Sequence, residues 1–532
     1  MTGLATLMLV SMAGCLELEV QNPNAPDASR ALATPGDVEA LIAGAFNRWL
    51  NFQGYSGATM ALSNVAAEHV APWGNAGMES WARIPRVPTD NIAGGQDVGN
   101  LTYGWTQAYR AIAALRDGLK QIQDDVVDLD KVVGSSNLRA QAYGKFIQGV
   151  AHGSIALLYD SGFVYDETID PTTVVLQDYN AVMTAALGYL QDAADLAGTG
   201  SFTIPDTWLS NAVTQSELAK MAYSLKAMFR AGVARSPTER AAVDWAAVKS
   251  DANKGVTTDW TIHSTWTGAT DFYDEGVDYR NYPGWNMTNN WVLGMADQSG
   301  AYQTWINTAT PDKQPFVIVT PDTRFPQGAD EAEQLAMQEL RADGFSWNAA
   351  GYYSVSIGAD GSRIWFRPDR GTWRWSYYYN TREPFMTHSN DGDAQLPWIQ
   401  VQYLQALIAE ANFRGEGTMT DVANFVNATR TANGLAATDA NGANADCVPK
   451  LPNGSCGNLW EMLKWESRME SMFQGTLRIH FWIDGRGWGD LMEGSRLQLP
   501  VPYTEMQLLG QKPYNFGGVG GVSAAPVGTY GY

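Results

Sequence analysis

Apolar residues recur at three- and four-residue spacing over much of the chain, which predicts amphipathic helices. Behind the helix-start grouping Thr34-Pro35-Gly36-Asp37, such a stripe runs through Val38, Leu41, Ile42, Ala45, Phe46 and Trp49. The same spacing predicts helices from Trp105 to Ile122, Leu138 to Tyr159, Tyr179 to Leu196 and Glu217 to Val233, with a shorter one from Trp245 to Lys254. Later stripes run from Trp398 to Phe413, Thr420 to Ala432 and Leu459 to Phe473. These segments come in adjacent pairs with short links, the pattern of stacked helix-turn-helix solenoids. Between Thr257 and Gln395 the pattern lapses, apart from a stripe from Asp330 to Arg341. Aromatic residues gather there among Gly, Asn, Asp and Thr, in PGWNMTNNW, FSWNAAGYYSVS and RIWFRPDRGTWRWSYYYN. A further stretch, APWGNAGMESWARIPR, carries Trp73 and Trp81. Irregular segments this long inside a globular chain are usually functional.

The N-terminus adds an address. Leu4 to Met12 is an apolar run too short to cross a bilayer as a helix, so it reads as a signal-peptide core. Met12-Ala13-Gly14-Cys15 follows it, a lipobox in which cleavage before Cys15 leaves the thiol to carry lipid. Two or more acyl chains on one residue anchor stably, at about 0.8 kcal/mol per buried CH₂. Residues 1–14 are therefore expected to be a signal peptide, 15–33 a lipidated polar tether and 34–532 the folded body. No Lys or Arg precedes Arg30, so a basic segment is expected upstream of Met1. No transmembrane helix is expected. Cys447 and Cys456, close together in DCVPKLPNGSC, are expected to form a disulfide after export; a two-cysteine metal site would lack partners, the nearest His being His480.

A formal net charge of −21 excludes the basic footprint that nucleic acid requires, and also electrostatic attraction to anionic lipid. No P-loop, dinucleotide glycine fingerprint, nucleophile elbow or H-E-x-x-H occurs, and the five histidines, His69, His152, His263, His388 and His480, lack ligand spacing. Glu461, Glu466 and Glu470 share a helix with Arg468; a carboxylate pair could serve glycoside hydrolysis, but charges pairing with neighbouring helices are the plainer reading. No cofactor or metal is expected. DFYDEGVDYRN (Asp271, Asp274, Glu275, Asp278) and TDANGANAD (Asp439, Asn441, Asp446) do not match the EF-hand template and read as solvated acidic loops, with structural calcium the alternative. Twenty tryptophans and twenty-three tyrosines are a heavy aromatic load. Any single ring is best read as core. The set Trp285, Trp291, Trp347, Tyr352, Tyr353, Trp373 and Trp375 is different, because residues such as Asn286, Asn289, Asn290 and Asn348 flank it with hydrogen-bonding groups. Sugar rings have apolar faces and hydroxyl edges, so Trp73, Trp81, Trp285, Trp291, Trp347, Tyr352, Trp373 and Trp375 are the candidate ligand platforms. No catalytic residue is expected.

The order of segments carries a resemblance over nearly the whole length. Behind the lipobox, LEVQNPNAP is similar to a "D/N-P-N" tether, and GDVEALIAGAFNRWL and YGKFIQGVAHGSIALLYDSGFVYDE look like two scaffold helices. PDTRF (Pro321 to Phe325) looks like a "DPR" segment, and LPWIQVQYLQALIAEANFRG like a helix centred on Ala409-Glu410-Ala411. FVNATRTANGL matches "V-N-x-x-R-x-x-x-G-L" through Val426, Asn427, Arg430, Gly434 and Leu435. WESRMESMFQGTLRIHFWIDGRGWGDL resembles a glutamate-rich helix and the turn after it, and LQLPVPYTEMQL a closing segment through Pro500, Pro502 and Glu505. In this ordered set the chain resembles the SusD/RagB family of outer-membrane nutrient-binding lipoproteins. It departs at Gln474, where the family has glutamate, and at Ser467 between Glu466 and Arg468.

The resemblance implies a mainly α fold in which tetratricopeptide-like helix pairs form an α-solenoid scaffold, here 34–256 and 396–510, carrying a loop-rich, aromatic-rich ligand-binding lobe at 257–395. The Ala142 and Phe146 spacing is one tetratricopeptide-like detail. It also implies a non-enzymatic surface lipoprotein that passes a glycan or peptide to a TonB-dependent, SusC-like β-barrel transporter. A lipid-anchored glycoside hydrolase and a surface structural or adhesive protein are the rival readings.

Overall fold

The structure is a computed structural model that describes residues 32, 34–54, 57–71, 77–265, 272–274, 286–340, 346–348, 351–355, 370–382 and 394–532. Helix α1 (Pro35–Ala43) starts where sequence chemistry places it, with the Thr34 hydroxyl accepting from the Asp37 N–H and Pro35 in the first turn. It is followed by α2 (Val98–Gln123), α3 (Asn137–Leu158), α4 (Tyr179–Ala197), α5 (Gln215–Gly232), α6 (Trp245–Asn253), α7 (Val401–Ala411), α8 (Met419–Arg430), α9 (Leu459–Ser471) and α10 (His480–Trp488). Reciprocal capping boxes fix the starts of α5, through Thr214 and Glu217, and α8, through Thr418 and Asp421.

Each long helix packs on the next in sequence: α2 on α3, α3 on α4, α4 on α5, α5 on α6, α6 on α7, with α7 and α8 on α9. Nearest-neighbour stacking of this kind makes the scaffold a tetratricopeptide-like solenoid and the fold mainly α. Helix α3 is buried continuously from Ala142 to Leu158 apart from Lys145. It fits because small residues let its neighbours close in. A Cβ at Gly149 would stand 2.6 Å from Leu190 of α4, and one at Gly153 would stand 2.1 Å from the Phe229 ring of α5. None of the described helices is long and apolar enough to cross a membrane.

Helices α6 and α7 touch although almost 150 residues separate them, so the aromatic-rich stretch is an insertion between adjacent scaffold helices. Its neck is a two-stranded antiparallel ribbon, β1 (Trp260–Ser264) against β2 (Ala394–Ile399), with buried Ile262 opposite buried Leu396. Trp398 of β2 meets the rings of Phe46, Trp49 and Trp260 edge-on, at centroid distances of 5.6, 5.5 and 5.3 Å. Edge-to-face pairs contribute about 0.5–1.5 kcal/mol each beyond area burial, which holds the neck on the scaffold. Two expected helices are corrected here. Trp398 lies in β2 rather than at a helix start, because Pro397 favours extended backbone before it and β1 supplies a ladder; the helix begins at Val401. The stripe from Asp330 forms a helix only over Glu331–Ala336, after which Glu339–Leu340 pairs with Ser346–Trp347 as a strand.

Buried ion pairs join the lobe to the scaffold. Arg324, in the lobe, grips Asp322 with Nε and Nη2 (2.8 and 2.7 Å) and reaches Glu466 of α9 with Nη1 at 2.8 Å, all three side chains fully buried. Arg478 holds Asp274 at 3.0 Å, also fully buried, so Asp274 belongs to the core and not to the solvated acidic loop the sequence suggested. Asp271, Glu275 and Asp278 lie outside the described residues. In the second acidic loop Asp439 accepts from the Asn441 and Ala443 N–H groups, and Asp446 from Ala436 N–H, so both carboxylates close local turns. No cluster of potential metal ligands occurs among the described residues. A disulfide joins Cys447 and Cys456, and the loop it closes meets the lobe through Gln298, whose amide donates to Cys447 O at 2.9 Å.

Candidate ligand-binding face

Three of the aromatic segments singled out in the sequence converge in space. His69–Val70 pairs with Met287–Thr288, and the Thr288 hydroxyl donates to Tyr378 O at 2.9 Å, which brings in the segment 370–380. Val70, Ala82, Met287, Trp373 and Tyr379 then form one small apolar cluster beneath this meeting point. The short helix Met78–Ala82, carrying Trp81, is tied to the third segment by the Arg370–Glu79 ion pair at 3.2 Å.

Within this face most of the candidate rings point inward. Trp81 is fully buried, with the Arg496 guanidinium 4.1 Å from its ring centroid, so it is packing and not a platform. Trp291 is buried between Trp305 and Tyr532, at 4.9 and 4.7 Å, because an irregular lobe still needs an apolar centre. Lys313 completes that centre, its ammonium 4.9 Å from the Trp291 ring and 4.3 Å from the Trp305 ring, and burial pushes its pKa down to about 8. Trp373 and Trp375 are buried to 9% and 8% exposure, each keeping only a small edge for solvent. Tyr352 is half-buried, donates to Glu470 at 3.0 Å and lies 4.2 Å from the Arg382 guanidinium, which makes it part of the lobe–scaffold joint. For Trp347 only the backbone is described, in a strand opposite Glu339. Trp73, Trp285 and the lipidation candidate Cys15 lie outside the described residues.

The flanking amides also turn inward. Asn289 donates to His69 O and accepts from Trp291 N–H, Asn290 donates to Trp375 O, and Asn348 donates to Tyr353 O. All three are buried, and they satisfy backbone groups that irregular loops leave without ladder partners. The glutamates of α9 are likewise committed to structure. Glu466 and Glu470 face Arg324 and Arg382, while Glu461 pairs with Lys464 and accepts from Tyr530.

No sequence-family profile matches the chain, and no curated protein does. Solved structures do. A SusD superfamily protein from Parabacteroides distasonis superposes at TM-score 0.56 over 89% of this chain and 97% of its own, at 11% identity. A SusD homolog from Bacteroides thetaiotaomicron gives TM-score 0.53 over 91% and 97%, at 14% identity. A SusD superfamily protein from Bacteroides fragilis gives 0.51 over 89% and 98%, at 12% identity. The fold is that of the SusD superfamily. Identities this low make the likeness one of fold, carried over nearly the full length of both chains.

In this SusD-like fold the face also carries cationic residues that the sequence reading did not single out. Arg83 is exposed, Arg370 is partly exposed, and Arg374 is 5% exposed, all on the face where the aromatic segments meet. They stand in ESWARIPR and PDRGTWRW, beside the tryptophans. A groove of about 840 Å³ lies elsewhere on the SusD-like scaffold, lined by Glu39, Asn47, Arg48, Arg139 and Trp208 among others. None of the aromatic residues selected from sequence lines it.

Proposed function

We propose that the protein is a cell-surface lipoprotein that binds a nutrient oligosaccharide, without altering it, and delivers it to a TonB-dependent outer-membrane β-barrel. The observation that carries this reading is the SusD-like architecture with an aromatic-rich insertion, whose segments 286–291 and 370–380 meet residues 69–71 and 77–84 at one face. The motif order of the sequence supports the same family, and the lipobox at Cys15 supports lipid anchoring at the outer membrane, with residues 15–33 as tether. Residues 34–532 then act as one SusD-like body. With the rings of Trp81 and Trp291 committed to packing, stacking falls to Trp73, Trp285 and Trp347 and to the solvent edges of Trp373 and Trp375.

Calorimetric titration of the Trp73→Ala and Trp285→Ala variants with an oligosaccharide bound by the parent tests this assignment. Each change is expected to weaken binding about tenfold, the equivalent of ~1.4 kcal/mol, with the unfolding midpoint unchanged. Affinity unaltered in both variants would remove the stacking platform from the account.

A further inference from the structure

Lys313 links two of the segments that form the candidate face. Its ammonium lies 4.9 Å from the ring of Trp291, which ends the segment 286–291, and 4.3 Å from that of Trp305. The same ammonium donates to the carbonyls of Trp305 and Ile306, the latter at 3.0 Å, at the end of the helix Ala301–Asn307. At its backbone Lys313 meets the segment 370–380. The Thr372 hydroxyl donates to Lys313 O, and the Gln314 amide donates to that hydroxyl at 3.3 Å. The turn Thr310–Asp312 accordingly packs on the turn Thr372–Arg374, which carries Trp373 and leads into Trp375. Asn290 adds a second tie between the same segments, donating to Trp375 O at 3.3 Å. Lys313 thus holds Trp291 with its side chain and the Trp373 turn with its backbone.

A residue needed only to fill this centre would not carry a charge. Lys313 is buried and forms no ion pair among the described residues. Burial alone moves its pKa, from the ordinary 10.5 down to about 8, so the ammonium is held there at a cost. Methionine has nearly the same length and would occupy the slot without that cost. What the ammonium supplies is attraction to the faces of Trp291 and Trp305, together with charge-assisted bonds to the end of one helix. Those contacts fix Trp291 relative to the Lys313 backbone, and the Thr372 bond carries the placement on to Trp373 and Trp375. The other titratable groups packed around this centre are Tyr302, Tyr530 and Tyr532, whose pKa values burial raises above the ordinary 10.0. Arg374 is the cation on the facing turn, and Asp312, next to Lys313 in the chain, is exposed.

We infer that Lys313 and Thr372 are positioning residues for ligand binding, setting the spacing between the 286–291 segment and the turn that presents the edges of Trp373 and Trp375. This rests on the oligosaccharide-binding reading above and adds to it the joint that keeps the face in its binding shape. Calorimetric titration of the full chain tests it, with linear hexasaccharides of glucose, xylose and mannose as probes. Thr372→Val removes the hydroxyl at nearly equal size and is expected to weaken binding about tenfold, with the unfolding midpoint unchanged. Thr372→Ser keeps the donor and should bind within about twofold of the parent. In the parent, affinity is expected to fall about threefold or more from about pH 7 to about pH 9.5, as Lys313 loses its proton and its hold on both rings. A neutral sugar does not titrate in that range. Nor would unfolding be the cause. A lysine whose pKa is lower folded than unfolded adds stability as the pH rises from about 8 to about 10.5. Lys313→Met should abolish the pH dependence. Parental affinity in Thr372→Val, equal losses in Thr372→Val and Thr372→Ser, a flat pH profile in the parent, or a profile that persists in Lys313→Met overturns this inference and leaves the binding function standing. A parent that binds none of the probes overturns both. Because the Thr372 pair and the parent profile leave the lobe centre unaltered, the test survives a Lys313 variant that fails to fold.

Discussion

Replacing Arg324 by methionine is expected to destabilise the protein by ~3–5 kcal/mol, because it breaks a fully buried ion pair from one side. Arg324 is the cation shared by Asp322, Glu466 and Glu470, with Nη1 3.4 Å from the last of these. Removing it leaves Asp322 and Glu466 facing each other in a site from which water is excluded, a few residues from Glu470 on α9. Burial already raises the Glu466 carboxyl above its ordinary pKa despite Arg324, so loss of the arginine drives it to take up a proton or forces the site open. The pair is also the clamp between lobe and scaffold. Tyr352 and Arg382, both on the lobe, contact the same Glu470. Urea unfolding should therefore show a lowered midpoint, with a shallower, two-step transition as the lobe loosens first. A variant with parental stability would mean that the carboxylates are solvated and the clamp is dispensable.

A contrasting pair of outcomes is expected within the scaffold. Glu410 of α7 accepts from Arg240 at 3.0 and 2.6 Å, from Arg414 at 2.9 Å and from the Trp488 indole at 3.1 Å. It joins three chain segments at once; burial pushes its carboxyl up, but Arg240 and Arg414 together outweigh that push and hold it below the usual range. Glu410→Gln keeps the shape but leaves buried Arg240 with Asp484 as its one remaining carboxylate, and a loss of ~3–5 kcal/mol is expected. Asp484 shares the same arginine at 3.1 Å and also accepts from Tyr403, yet burial pushes its pKa up to about 6. An acid whose pKa is higher folded than unfolded binds its proton more tightly in the native state. Its contribution to stability is therefore complete below about pH 4 and is lost as the pH rises to about 6. Asp484→Asn retains acceptors for Tyr403 and Arg240, so at neutral pH it is expected to be as stable as the parent or more so. It should also remove the fall in stability between those pH values, as followed by thermal unfolding across a pH series. Equal damage from both substitutions would mean that the Asp484 carboxylate adds net stability at neutral pH as that of Glu410 does.

The scaffold was legible because helix periodicity is local. Val38 to Trp49, or Leu218 to Met228, declare one buried face within a few turns, and caps such as Thr34 and Thr214 mark the starts. What decides Trp398 is not local: its stripe suits a helix, but β1, more than 130 residues earlier, offers a ladder. The aromatic lobe was visible as a region and misleading residue by residue. Loops that leave the scaffold must build their own centre, and Trp291 with Trp305, or Trp373 with Met287, supply it. The same need turned Asn289 and Asn290 toward backbone groups instead of toward solvent. The arginines of the face were hidden by the total charge. A chain of −21 reads as anionic throughout, and only folding brings residues 83, 86, 370, 374 and 496 together.

The central claim is that this protein of SusD-like fold binds an oligosaccharide and leaves it intact. Titrating the full chain with a panel of neutral and acidic oligosaccharides, then analysing the recovered sugars by chromatography, tests it most directly. The account predicts saturable one-site binding of at least one oligosaccharide of the panel, recovered at its original length after prolonged incubation. Shortened products that accumulate with time, or no saturable binding across the panel, would contradict it.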